Sequence, residues 1–70
     1  MSWEDLGKGV ARIKSASSPQ FSMDMYAVDS FGEVDICIED EYSENCIGVG
    51  HEDRVKMIKW LIGQTPGWDA

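Results

Sequence analysis

Between Phe21 and Gly50, apolar and polar residues alternate with a period of two. Phe21, Met23, Met25 and Ala27 share one parity, followed by Val34, Ile36 and Ile38, then Ile47 and Val49. The other parity holds Ser22, Asp24 and Tyr26, then Glu33, Asp35, Cys37 and Glu39. This pattern predicts three half-buried strands with one apolar and one polar face. Asp29-Ser30-Phe31-Gly32 has the Asp-first, Gly-last order of a tight turn, and a second turn falls within Asp40 to Ser43.

The pairing can be tested against itself. Setting Asp29 opposite Gly32 places Ala27 against Val34, Met25 against Ile36 and Met23 against Ile38. A four-residue loop at the second turn places Ile36 against Ile47, Val34 against Val49 and Cys37 against Cys46. A slip of one residue would put Asp24 or Tyr26 against the isoleucines, which a buried face forbids. Both hairpins thus agree on one apolar face, and the stretch predicts a three-stranded antiparallel meander.

On either side the apolar spacing lengthens. Trp3, Leu6, Val10 and Ile13 recur at three- and four-residue steps, which predicts an amphipathic helix over 1–15. Ser2 and Asp5 stand at capping-box spacing, Gly7 and Gly9 weaken the helix, and Lys8, Arg12 and Lys14 form its solvated face. Residues 16–20, small and polar with a proline, read as a linker. Glu52 and Asp53 suit the first turn of a second helix, over 51–63, whose stripe is Val55, Ile58, Leu61 and Ile62, broadened by Met57 and Trp60. Gly63 and Pro66 end it, and the tail 64–70 contains Trp68. Trp3 and Trp60 fall on core-facing stripes.

The expected fold is one α+β domain spanning 1–70: helix, three-stranded antiparallel meander over 21–50, helix, with both helices on the apolar sheet face. The double-stranded-RNA-binding domain is similar in element order. That family carries a lysine cluster at the start of its second helix, where this chain has His51, Glu52 and Asp53, so the similarity ends at topology.

Charge changes the picture more than composition does. The chain has 13 acids against 6 Lys and Arg, a net charge of −7. From Phe21 to Asp53 there are ten carboxylates and no Lys or Arg. Such a field repels nucleic acid and attracts basic surfaces. No apolar run approaches the ~20 residues of a membrane-spanning helix. The start Met-Ser-Trp-Glu-Asp lacks the basic and apolar segments of a signal peptide. The expectation is therefore a cytoplasmic chain whose Cys37 and Cys46 are thiols acting as small apolar fillers, able to join only under oxidation.

Candidate chemistry is sparse. Cys37, Cys46 and His51 lack the close-spaced pairs of a zinc site. Residues 40–45 are oxygen-rich but lack the spacing and glycine of a calcium loop. His51 has no nucleophile or orienting partner at a telling spacing and reads as a helix-start residue. No catalytic residue, metal or cofactor is expected.

What remains is a surface. Asp24, Glu33, Asp35 and Glu39 should project together, with Asp40, Glu41 and Glu44 at the adjoining turn and Tyr26 and Phe31 as exposed aromatic anchors. Neighbouring side chains on a sheet stand about 5–7 Å apart, close to the phosphate spacing of a nucleic-acid strand. The expectation is a small interaction protein, not an enzyme, that binds a basic, nucleic-acid-binding surface of a larger partner. Its sharper form is a nucleic-acid-mimicking inhibitor of the kind phages and mobile elements direct against host defence, anti-CRISPR or anti-restriction. The alternative is a self-assembling structural or accessory subunit using open sheet edges and Trp68. Direct binding to nucleic acid or membrane is not expected.

Overall fold

The computed structural model describes Ser2 to Trp68. Five strands come first, β1 (Glu4–Gly7), β2 (Val10–Lys14), β3 (Ser22–Tyr26), β4 (Val34–Glu39) and β5 (Glu44–Val49), and one helix, α1 (His51–Gly63), follows them. The strands form a single antiparallel sheet in chain order.

Within the central meander the register is the one that the alternation predicts. Met23 faces Ile38 and Met25 faces Ile36 across β3 and β4. Val34 faces Val49, Ile36 faces Ile47 and Cys37 faces Cys46 across β4 and β5. Asp29 organises the first turn: its carboxylate accepts from the Phe31 and Glu33 amides at 2.9 and 3.1 Å. Gly32, with φ of 77°, supplies the left-handed residue that such a turn requires. Asp40 does the same work in the second turn, accepting from the Tyr42 and Ser43 amides, both at 2.8 Å.

The N-terminal segment departs from expectation. Residue 1 of the helix expected over 1–15 lies outside the described residues, and residues 2–15 do not form a helix; β1 and β2 make a hairpin that extends the meander to five strands. Lys8 and Gly9 form the two-residue turn, with φ of 55° and 76°. Positive φ at both central positions is the mark of the turn whose twist matches a hairpin. Gly9 is further constrained, because a Cβ there would meet the Ala27 Cβ at 2.6 Å. Ser2 does not cap a helix. Its hydroxyl donates to the Lys14 carbonyl at 3.0 Å and accepts from the Lys14 amide at 3.2 Å, beside the ladder. Asp5 accepts from the Gly7 amide at 2.9 Å. Strand pairing prevails over helical spacing because β2 fits the free edge of β3: Ala11 and Ile13 stand beside Met25 and Met23, and Arg12 meets Asp24.

The helix over 51–63 is present, but it does not cover the sheet. No residue of α1 is buried, and Arg54 alone is half-buried. A single residue, Gly50, links β5 to α1. The Arg54 guanidinium bonds the carbonyls of Gly32 and Val49 at 2.9 and 2.6 Å, which fixes the direction in which the helix leaves the sheet. Neither of the two expected helices therefore lies on the apolar face: one is a hairpin, and the other projects. Trp3 and Trp60, placed by their spacing in a core, are both exposed. No helix of the described residues is long and apolar enough to cross a membrane.

Candidate functional site: the acidic sheet face

Alternation divides the sheet into two faces. The apolar side gathers Ala11, Ile13, Met23, Met25, Val34, Ile36, Ile38, Ile47 and Val49. The opposite side is built around one transverse row, Glu4, Arg12, Asp24, Cys37 and Cys46, with one residue from each strand. A second row holds Lys14, Ser22, Glu39 and Glu44.

The middle of this face is closed. Arg12 donates from Nε to Asp24 Oδ1 at 2.7 Å and from Nη2 to Oδ2 at 2.9 Å, a two-pronged pair. Asp24 is only 3% exposed, so the carboxylate expected to project is held inside the face. The Arg12 bond holds the Asp24 carboxyl below the usual range against the opposing effect of burial. Beside it, Cys37 and Cys46 are joined in a disulfide with Cα atoms 4.0 Å apart. The register explains the bond, since it sets the two residues directly opposite one another. Cys37, 4% exposed, is the one buried apolar residue among those described. The disulfide corrects the expected thiols and stands against the cytoplasmic expectation from which they were inferred, because disulfides are rare in that compartment.

Acids remain at both ends of this closed centre. At one end the carboxylates of Asp29, Glu33 and Asp35 lie within 4.8 Å of one another. Glu33 lies over Gly48, where any side chain would collide with it. At the other end Glu39 and Glu44 face each other across β4 and β5. Glu39 accepts from the Ser22 hydroxyl at 3.3 Å and stands 3.8 Å from Arg12 Nη2. Glu44 has its pKa raised, first by a hydrogen bond with Glu39 and then by partial desolvation and the Glu39 charge. Two carboxylates this close hold a proton between them more readily than one alone.

The expected contact residues therefore separate. Glu33, Asp35, Glu39 and Glu44 share the polar face, and Glu41 is exposed at its margin. Asp24 is withdrawn with Arg12. Asp40 is committed to its turn, whose amides hold its carboxyl below the usual range. Tyr26 is exposed at the end of β3, and Phe31, 85% exposed, stands at the first turn. Sequence reasoning missed Tyr42, which is equally exposed between acids at the second turn. Its place beside Asp40 and Glu41 was the available signal. Glu4 and Arg12 were missed because their segment reads as helical.

On its polar side β4 carries Asp35 and Glu39, separated by Cys37, and Glu33 stands just before the strand. The carboxylates of Glu33 and Asp35 come within 4.8 Å of each other, and Glu39 lies beyond the disulfide. Acids grouped in this way can accept hydrogen bonds from guanidinium and ammonium groups. Comparison with protein families, with curated proteins and with solved structures finds no match to this chain.

Proposed function

We propose that the protein is a small acidic interaction module, and not an enzyme, whose β4–β5 face seats against a basic surface of a larger protein. The observation that supports this reading best is the series Glu33, Asp35, Glu39 and Glu44 on one face. No Lys or Arg interrupts the segment from Phe21 to Asp53, and of the two cations that reach this face from β2, Arg12 is engaged by Asp24 and Lys14 stands at the end of the row that holds Glu39 and Glu44. Ordinary protein surfaces intersperse both signs. The grouped acids of this face favour a partner surface that ordinarily holds a nucleic-acid backbone, which makes this module a nucleic-acid mimic and an inhibitor of such a partner. Phe31 and Tyr42 flank the acids and supply apolar anchors.

The test uses the tagged protein to capture partners from lysate at low and moderate salt, followed by titration of the recovered partner with duplex DNA and RNA as competitors. The reading expects salt-sensitive binding, displacement by nucleic acid, and a loss of at least about 100-fold in affinity for Asp35→Lys/Glu39→Lys with its sheet spectrum intact. Unchanged affinity of that double variant would sink the proposal.

A further inference from the structure

The chain offers two apolar surfaces that it does not itself cover. One is the sheet face, where Ile47 is 66% exposed and Ile38, Phe21 and Met23 border an open hollow with Ile13. The other is α1, where Ile58, Leu61 and Ile62 form an apolar groove with Trp68, and Trp60 is 64% exposed. The helix cannot turn back onto its own sheet in this conformation, because it leaves β5 through one residue and Arg54 clamps its first turn to the Gly32 and Val49 carbonyls.

The surface area states how much covering is missing. A folded monomer of 7.8 kDa exposes about 4,400 Å². This chain exposes 5645 Å², an excess of about 1,250 Å² over that expectation. Obligate homodimers hide roughly 1,000 Å² or more per copy, so the excess is the area one such interface removes. The radius of gyration agrees: 13.2 Å, against about 11 Å for a compact chain of this length. No apolar side chain larger than Cys37 is buried among the described residues, so a lone copy has little to offset its chain entropy.

We infer that the protein is a reciprocal homodimer in which α1 of each copy lies on the apolar sheet face of the other. A second copy is the occupant the observations favour because each chain brings one helix lacking a sheet and one sheet lacking a helix. Exchange about a two-fold axis satisfies all four surfaces at once, and it closes. This interface leaves both acidic faces outward, and it does not rest on the proposed function. It also differs from assembly through sheet edges, because it uses the face.

Sedimentation of the wild-type chain from about 1 to about 300 µM, with melting temperature at each concentration, is the direct test. A dimer mass over most of that range, and a melting temperature that climbs with concentration, is the expected result. A folded species of monomer mass throughout overturns the inference, whatever else then covers the two faces. Two variants test the geometry. Ile47→Lys spoils the sheet and Ile58→Lys spoils the helix, so each alone weakens dimerisation at least about 100-fold. Mixed, they leave one intact helix-on-sheet contact and recover part of the association. A loss confined to Ile47→Lys indicates sheet against sheet, a loss confined to Ile58→Lys indicates helix against helix, and either overturns the reciprocal arrangement. If both variants unfold, the wild-type sedimentation result still decides.

Discussion

Arg12 grips Asp24 with two nitrogens, at 2.7 and 2.9 Å, across the pairing of β2 with β3. The pair joins the hairpin that sequence spacing does not reveal to the meander that it does. Asp24 is buried and has no other side-chain partner among the described residues. Asp24→Asn keeps the shape and removes the charge, leaving Arg12 with the more distant Glu39 carboxylate, 3.8 Å from Nη2. It should lower the melting temperature by about 5–10 °C, read by circular dichroism. A change under about 1 °C would mean that the pair contributes nothing net.

Gly9 separates the hairpin from the helix that the N-terminal spacing suggests. In a helix, Gly9→Ala would stabilise the chain by roughly 0.5–1 kcal/mol. At φ of 76°, with the Ala27 Cβ in the way, the same change should destabilise it by about 1–2 kcal/mol. Chemical denaturation of this one variant gives opposite signs for the two structures.

The disulfide closes a short loop, Cys37 and Cys46 being nine positions apart. Loop-closure entropy for such a ring gives about 2–3 kcal/mol. Reduction, or Cys37→Ser/Cys46→Ser, should lower the unfolding free energy by that amount, measured by denaturant titration with and without reductant. Intact-mass measurement under non-reducing conditions should show two hydrogens fewer than the reduced chain.

Three carboxyl groups give stability opposing dependences on pH. Asp24 and Asp40 have lowered pKa values, so what they add is complete above the ordinary value of 3.8 and is lost as pH falls through their lowered folded values. Glu44 runs oppositely. Its raised pKa means that its contribution is complete below 4.5 and is lost as pH rises through the folded value. Acid should therefore lower the melting temperature through Asp24 and Asp40, and a rise toward neutral pH should lower it through Glu44. Glu44→Gln should flatten the decline toward neutral pH while leaving the acid limb in place.

The central meander was legible because three signals coincide there. Period-two alternation, an Asp-to-Gly turn and a loop of fixed length admit one register, and a slip would bury Asp24 against Ile38. The N-terminal hairpin was not legible for a physical reason. Trp3, Leu6, Val10 and Ile13 fit a helical stripe, yet Ala11 to Lys14 also alternates. The glycines on either side of Lys8 were the deciding feature, since they permit left-handed backbone where a helix only tolerates it. The acidic character of the polar face was legible from charge alone. That Asp24 would be removed from it was not, because its partner Arg12 lies in the segment read as a helix. Exposure of α1 was also hidden, since an apolar stripe is the same in sequence whether its cover comes from its own chain or from elsewhere.

The transverse row from Glu4 to Cys46 makes the sheet mechanically lopsided. Its β4–β5 side is sewn by a covalent bond and its middle by an ion pair, while β1 holds its place by a short bulged ladder and the Ser2 hydroxyl. Opening therefore has a preferred direction. The sheet should unzip from β1 inward, its amides surrendering deuterium protection strand by strand, with the β4–β5 hairpin the last to let go.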